Sequence, residues 1–449
     1  MNKNSLTLNL PGEVKYIIDT LEKSGHRAYA VGGCVRDSVM GKEPNDWDIC
    51  TSALPAQTIK SFAKERIFET GLHHGTVSLL LSKKVYEITT FRTDGQYTDN
   101  RRPDTVNFVS DLKSDLNRRD FTINALAYHP NEGLIDHFDG LEDINQKIIR
   151  CVGDADMRFK EDALRIMRAV RFASTLNFVI EQSTLDAILR NRKLLDKIAA
   201  ERISSELDAL LLGENVENVL HNYSAVIETV IPEIAALIGF DQKSSYHDLD
   251  AWSHTAKTVA NASPDRVLRL TMLLHDIAKP DCFTEKGGVG HFYGHQKAGS
   301  EVARRILNRL KYDKETIKTV TILVLYHDVD IEANDKAVKR WLNRLGLENL
   351  RMLSQVKMAD ATAKSSEHIM PQTVKIEALS ALIDEVLEKQ SCFTLKDLAI
   401  SGKDLINCGI PEGAQVGKVL RELLEMVIDD HLPNERDALL EAVRKTCAF

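Results

Sequence analysis

The chain has 449 residues, which at roughly 100–200 residues per domain leaves room for two to four domains. Its 43% hydrophobic and 28% charged residues are those of a globular protein, and 23 Gly with 11 Pro exclude a fibrous or low-complexity chain. With 58 Lys and Arg against 66 Asp and Glu the net charge is −8, which excludes coating nucleic acid by bulk charge and leaves local basic grooves for that purpose.

The first residues, Met1-Asn2-Lys3-Asn4-Ser5, carry no apolar signal core and no Arg-rich transit character. Apolar runs such as Val77-Ser78-Leu79-Leu80-Leu81 fall far short of the ~20 residues of a membrane span. A cytoplasmic protein without a membrane partner is expected. The seven cysteines (Cys34, Cys50, Cys151, Cys282, Cys392, Cys408, Cys447) contain no Cys-x-x-Cys pair, so they read as reduced thiols.

Residues 27–150 mix short β-rich runs (Ala28 to Val31, Gly75 to Leu81, Val85 to Phe91) with helical stretches, an α+β pattern. From Asp154 onward the pattern is helical, with apolar periodicity through 161–173, 185–211, 267–278, 301–311 and 337–358. Breakers stand at Pro232, Ser263-Pro264, Gly287-Gly288 and Pro411. Boundaries are expected near 150, 240 and 370. That division gives a head (1–150) with a mixed sheet, an all-α neck (151–240), an all-α third domain (241–370) and a helical tail (371–449).

Val31-Gly32-Gly33-Cys34-Val35-Arg36-Asp37 follows a predicted strand and opens a predicted helix. Paired glycines at such a turn let the backbone approach a ligand, helix N–H groups suit a phosphate, and Arg36 adds a charge. Asp46-Trp47-Asp48 then places two carboxylates on one face of a strand. Like charges so close call for a cation between them, and hard oxygen ligands favour Mg²⁺. Glu87 brings a third carboxylate from a neighbouring strand. Together these are the requirements of metal-assisted nucleotidyl transfer.

Gly32-Gly33-x-Val35-Arg36-Asp37 followed by Asp46-x-Asp48 resembles the polymerase-β-like head of the class II CCA-adding enzymes and bacterial poly(A) polymerases. The resemblance continues in order over roughly residues 25–210. Arg118 to Ala125 matches the ribose-contacting motif, Asp139 to Arg150 the junction with the neck, Glu161-Asp162-Ala163-Leu164-Arg165 the nucleotide-selecting motif, and Arg202-Ile203-x-x-Glu206 the motif that steadies it. It implies that Asp46, Asp48 and Glu87 are catalytic with Mg²⁺ on the aspartates. It also implies that Gly32, Gly33, Arg36, Arg119, Asp120, Asn124, Asp162, Arg165 and Arg168 bind nucleotide. The partners implied are tRNA, CTP and ATP, without DNA; the alternative is an A-adding enzyme or poly(A) polymerase. A polar loop from Thr93 to Pro103 is the segment the resemblance associates with adding the terminal A.

Asp162 and Arg165, three apart on a periodic helix, are expected to share a face. A carboxylate accepts and a guanidinium donates. Cytosine and adenine both offer an amino donor beside a ring-nitrogen acceptor, whereas guanine and uracil offer the reverse. The pair thus fits C and A and leaves polar groups unsatisfied against G and U.

A second cluster lies at His254, His275-Asp276 and, further on, His295, His327-Asp328 and Asp360. Each falls on or beside a helical segment, and a bundle can aim such residues at one metal. Imidazole with carboxylate suits Ni, Mn, Fe or Zn. Residues 245–365 resemble the HD-superfamily phosphohydrolases. The resemblance makes His254, His275, Asp276 and Asp360 ligands of one metal, with Asp328 competing for the last place, and gives His295 and His327 to a second. His247 and His291 read as surface or supporting residues. No long basic run exists, so RNA contact is expected through local clusters such as Arg118-Arg119. Nothing in the sequence indicates an oligomeric state.

Overall fold

Ala28-Tyr29-Ala30-Val31 is apolar and buried on both faces, the mark of a strand covered on each side, and the head forms around it. The structure, a computed structural model, describes residues 6–95, 106–244, 246, 248–389 and 391–446. The chain divides into two compact units, one ending at Pro232 and one beginning at Glu233.

In the first unit, β1 (Ala28–Val31), β2 (Asp48–Thr51), β3 (Arg66–Gly71), β4 (Thr76–Leu81) and β5 (Lys84–Thr90) belong to one sheet. β6 (Arg92–Asp94) and β7 (Val106–Phe108) form a separate antiparallel ribbon. With β8 (Leu126–His129) and β9 (Gly133–Asp136) the described sheet has seven strands in the order β3-β4-β5-β2-β1-β8-β9. β2 and β5 run parallel and the other neighbours antiparallel, so the sheet is mixed. α1 (Gly12–Lys23) buries Val14, Ile17, Ile18 and Leu21 at helical spacing and packs on β1 and β2. The other helices of the head are α2 (Gly33–Val39), α3 (Pro55–Ser61), α4 (Leu112–Asn117) and α5 (Gly140–Gln146). Tyr29, Val31, Cys50 and Phe91 form a core with Leu112 and Leu116 of α4.

The residues near 150 join head to neck by backbone bonds. Thr122 N–H donates to Arg150 O at 2.9 Å and Val152 N–H to Asp120 O at 3.1 Å. β10 (Ile148–Ile149) pairs in parallel with β11 (Val179–Ile180). The neck comprises α6 (Ala155–Glu161), α7 (Leu164–Leu176), α8 (Gln182–Asn191), α9 (Ala200–Leu211), α10 (Val216–Asn222) and α11 (Ser224–Val230). α7 packs against α9, with Ile166, Met167, Val170 and Ala173 buried on one helix and Ile203, Leu207 and Leu210 on the other.

The second unit holds α12 (Ala251–Asn261), α13 (Arg266–Leu274), α14 (His295–Arg309), α15 (Lys314–Tyr326), α16 (Asp335–Leu345), α17 (Leu347–Ala361), α18 (Ser366–Glu388), α19 (Gly402–Asn407), α20 (Ala414–Ile428) and α21 (Arg436–Thr446). Gly287 and Gly288, both at positive φ, close a hairpin of β12 (Thr284–Lys286) on β13 (Val289–His291), as a primed turn requires. Ser401 and Asp404 form the capping box of α19. The tail has its own core, with Leu405, Leu423, Ile428, Leu439 and Val443 buried together. Among the described residues no helix is long and apolar enough to cross a membrane.

Three helical readings are corrected. The 161–173 pattern breaks at Asp162, which is extended (φ −138°, ψ 104°) between α6 and α7. Its carboxylate accepts the Leu164 N–H at 3.1 Å, so the side chain starts a new helix instead of continuing the old one. The 337–358 pattern breaks at Gly346, whose φ of +76° no helix admits. The 185–211 pattern breaks at the extended Ile198. α18 begins at Ser366 and carries Pro371 inside it.

Candidate functional site

β1 ends at a turn that only glycine fits without strain: Gly32 has φ +86°, and a Cβ there would lie 2.9 Å from Arg119 Nη1. Its N–H donates to Leu126 O at 2.9 Å, anchoring the turn on β8, and α2 begins at Gly33. Arg36 is buried, with Nη1 donating to Asn124 Oδ1 at 2.6 Å and Nε to Asp37 Oδ1 at 2.8 Å. β1 and β2 pair antiparallel with Ala30 opposite Ile49; carried on, that register brings Gly32 beside the Asp46–Asp48 segment.

Asp48 opens β2 and stands directly opposite Glu87 of β5. Both are accessible while Ile49 and Ile88 beside them are buried, the alternation of period 2. Partial desolvation raises the pKa of Asp48, opposed by Arg119 and reinforced by Asp46. It raises Glu87 too, with Asp48 and Asp46 adding to it. Desolvation and the neighbouring carboxylates outweigh the Arg119 charge, a setting that suits a hard divalent cation such as Mg²⁺.

From the turn a polar network runs into the neck. Asn124 holds Arg36 and donates to Asp120 Oδ1 at 3.1 Å. Asp120 Oδ2 accepts Nε and Nη2 of Arg168 at 2.8 and 2.7 Å. Burial works to raise the pKa of Asp120, but Arg168 and the Asn124 amide hold it well below the ordinary carboxylate range. Glu206 of α9 then accepts Arg171 Nε at 2.5 Å and lies 3.8 Å from Arg168.

Asp162 and Arg165 do not share a helical face. Asp162, between helices, is held by Arg202 (Nη2 to Oδ2, 3.0 Å). Arg165, on α7, donates to Glu161 Oε2 at 2.6 Å and to Arg118 O at 3.0 Å. Arg202 and Glu206, one turn apart on α9, thus grip Asp162 and the arginines of α7 respectively. Arg101 and Arg102 and most of the polar loop lie outside the described residues, as does His247.

In the second unit His254, His275, Asp276, His295, His327 and Asp360 converge. Asp360 Oδ1 lies 3.0 Å from His254 Nε2 and 3.8 Å from His275 Nε2. Asp276 turns Oδ2 to His275 Nε2 at 3.1 Å, and Oδ1 to His295 and His327 at 3.6 and 3.5 Å. His254, His275 and Asp276 form one group with ligand atoms within 4.8 Å of each other, and Asp276, His295 and His327 a second. Asp328 instead accepts Gln296 Nε2 at 3.2 Å.

The tautomers show what the cluster fits. Nδ1 of His275, His295 and His327 lies 2.7 Å from Met272 O, Phe292 O and Val324 O. A carbonyl only accepts, so each Nδ1 carries the hydrogen, and Nε2 is the atom left to offer a lone pair to a metal when the ring is neutral. His295 and His327 then face Nε2 to Nε2 at 3.4 Å. His275 Nε2 and Asp276 Oδ1 are buried without a hydrogen bond among the described residues, and Asp276 Oδ2 is met by Lys279 Nζ. Lone pairs converging on a carboxylate repel unless a cation sits among them, and this donor set fits a divalent transition ion. Lys279 and Lys364 stand beside it, 2.7 Å from Asp276 Oδ2 and 2.9 Å from Asp360 Oδ2. A cavity of about 590 Å³ opens over this cluster, while another, about 850 Å³, touches Asp46 and Trp47 from the α1 side and not Gly32 or Glu87.

The sequence reading passed over Asp115, a buried carboxylate that pairs with Arg118 at 3.0 Å and Arg119 at 3.5 Å. It also passed over Phe172, whose ring lies under Arg36, Arg168 and Arg171 at 5.0, 5.4 and 3.9 Å. The four-residue spacing of Asp115 and Arg119 was the one available signal for the first. Arg168, four residues before Phe172 on α7, was the local signal for the second, while Arg36 reaches the ring from a distant segment.

Three family models match: the poly A polymerase head domain over residues 28–150, a probable RNA- and SrmB-binding site of polymerase A over 177–237, and a putative tRNA nucleotidyltransferase domain 2 over 293–443. The chain is 38% identical to a CCA-adding enzyme of Lactiplantibacillus plantarum over 97% of both chains. It is 37% identical to one of Pediococcus pentosaceus over 96% of this chain and 97% of the other. The Bacillus stearothermophilus CCA-adding enzyme, solved in complex with CTP, superposes with a TM-score of 0.71 at 29% identity, over 97% of this chain and 98% of that one. A Thermotoga maritima CCA-adding enzyme complexed with tRNA shares the fold, with a TM-score of 0.60 at 20% identity over 97% and 96% of the two chains.

Proposed function

The chain belongs to the family of CCA-adding enzymes, and we propose that it is a tRNA nucleotidyltransferase that rebuilds the 3′-terminal CCA from CTP and ATP. The observation that carries the reading is the face shared by Asp48 and Glu87, with Asp46 alongside, next to the Gly32 turn. In nucleotidyl transfer the tRNA 3′-oxygen bonds to the α-phosphorus, the bond to the bridging oxygen breaks, and pyrophosphate leaves. Gly32 and Gly33 let the triphosphate approach the backbone, and Arg36 and Arg119 offset its charge. Asp120 and Asn124 orient the ribose. Mg²⁺ held by Asp46 and Asp48, with Glu87 beside them, would supply charge stabilisation for the attacking and the leaving oxygen. Asp162 accepts from, and Arg165 donates to, the base edge that cytosine and adenine share. For that, Arg165 exchanges Glu161 for the base while Arg202 keeps Asp162 in place.

The test is incorporation of labelled CMP and AMP into tRNA transcripts trimmed to the discriminator base. Addition of AMP alone, or addition to unrelated RNA, favours the A-adding or poly(A) reading.

The second unit is proposed to be an HD-type phosphohydrolase. A bound divalent ion supplies an activated water there. Hydrolysis joins the water oxygen to phosphorus, breaks the ester P–O bond and leaves the proton on the departing alcohol. Phosphate release from 3′-phosphorylated RNA ends, abolished by Asp276→Asn, tests this reading.

A further inference from the structure

Phe292-Tyr293-Gly294 leads from β13 into α14 directly ahead of the cluster residue His295. The turn is held from within. Phe292 packs on Phe283 and Phe240 at 5.7 and 6.3 Å, Lys279 Nζ lies 5.3 Å from its ring, and its carbonyl takes the His295 Nδ1–H. Gly294, at φ +81°, reverses the chain. Tyr293 is thereby turned outward to 79% exposure, yet it is not loose, because its ring stacks on His291 at 5.4 Å and 9°. Tyr246, 49% exposed, lines the same cavity. Its ring rests 4.1 Å from His368, and its carbonyl accepts the Ser365 N–H at 3.0 Å. The floor of that cavity holds Asp276, His327 and Asp360 with Lys279 and Lys364. Its volume, about 590 Å³, lies within the usual range for a nucleotide-sized ligand.

Two braced, exposed aromatic rings on the walls and a metal-fitting, lysine-flanked floor match a ligand with a π-face at one end and a phosphate at the other. We propose that Tyr293 and Tyr246 are base-stacking residues that restrict the histidine–aspartate site to phosphoesters carrying a nucleobase, a mononucleotide or an RNA end. This rests on the phosphohydrolase reading of that site. Stacking on aromatic side chains tolerates any base, so the restriction is to nucleotides as a class.

The test uses the full chain. Metal-free protein is titrated with fluorescent ethenoadenosine 3′-monophosphate, and Mn²⁺-loaded protein is assayed on adenosine 3′-monophosphate, a 3′-phosphorylated oligoribonucleotide and base-free ribose 5-phosphate. Tyr293→Ala is expected to weaken ethenoadenosine binding about tenfold and to erase the preference for nucleotides over ribose 5-phosphate. Tyr293→Phe retains both, and Tyr246→Ala acts in the same direction. Faster hydrolysis of the oligoribonucleotide than of adenosine 3′-monophosphate identifies an RNA end as the substrate; equal rates identify a mononucleotide. Unchanged binding and unchanged preference in Tyr293→Ala, with hydrolysis intact, overturn the stacking role and leave the phosphohydrolase reading standing. Tyr293-dependent binding with no hydrolysis of any ester overturns that reading and leaves the stacking role.

Discussion

Asp48 and Glu87 face each other across the parallel β2–β5 pair, in register and on the accessible face of the head sheet. Like charges directly opposite destabilise a sheet, so the pair marks a place where stability is given up for a site. Desolvation raises both carboxyl pKa values; Asp46 adds to each, Asp48 adds to that of Glu87, and Arg119 opposes the rise at Asp48. A folded pKa above the unfolded one makes the cation-free protein gain stability as pH falls from the raised values toward about 4.

Asp48→Asn should therefore melt no lower than the parent at neutral pH without divalent ions, and should lose the acid-side gain. Mg²⁺ should raise the melting temperature of the parent and not of the variant, while CMP transfer falls about a hundredfold or more. Thermal melts with and without Mg²⁺ between pH 4 and 8 check this.

Asp120 behaves oppositely. Burial notwithstanding, Arg168 and Asn124 hold its pKa well below the ordinary range, so its contribution is full above about 4 and is lost as pH falls below that. Asp120→Asn leaves Arg168 without its buried partner and should cost about 3 kcal/mol at pH 7. The difference from the parent should shrink below pH 4, as urea melts at pH 7 and pH 3 will show.

Asp162 depends on Arg202 for its position. Asp162→Ala should lower discrimination of CTP over UTP by ten- to a hundredfold without lowering the melting temperature by more than a few degrees. Arg202→Ala should act in the same direction but more weakly. Single-nucleotide incorporation with each of the four triphosphates measures both.

Metal removal should act on the second unit. Chelation should lower its melting transition, because lone pairs on His275, His295 and His327 are left facing Asp276. Asp276→Asn, which loses a carboxylate shared by both groups, should retain ten- to a hundredfold less metal. Metal content per chain after dialysis checks this.

Sequence spacing revealed the chemistry better than it revealed the local backbone. Asp46 and Asp48 two apart, and His275 beside Asp276, are short-range patterns; only Asp48 lies on β2, with Asp46 just ahead of it, yet the residues read with them come together. The helix breaks were hidden because apolar periodicity passes through Asp162 and Gly346 undisturbed, and a single φ or a side-chain hydrogen bond ends the helix. The Asp120–Arg168 and Asp162–Arg202 pairs join residues 48 and 40 positions apart. Such contacts exist only once α7 has packed against the head and α9. Tyr293 gave no signal at all, since its exposure follows from how Phe292 is anchored.

The most direct test of the central claim is incorporation of labelled CTP and ATP into a tRNA transcript lacking its last three nucleotides. Two C residues and then one A are expected, with no addition to an unrelated RNA and loss of all three steps in Asp48→Asn. AMP addition without prior CMP addition, or undiminished activity in Asp48→Asn, would contradict it.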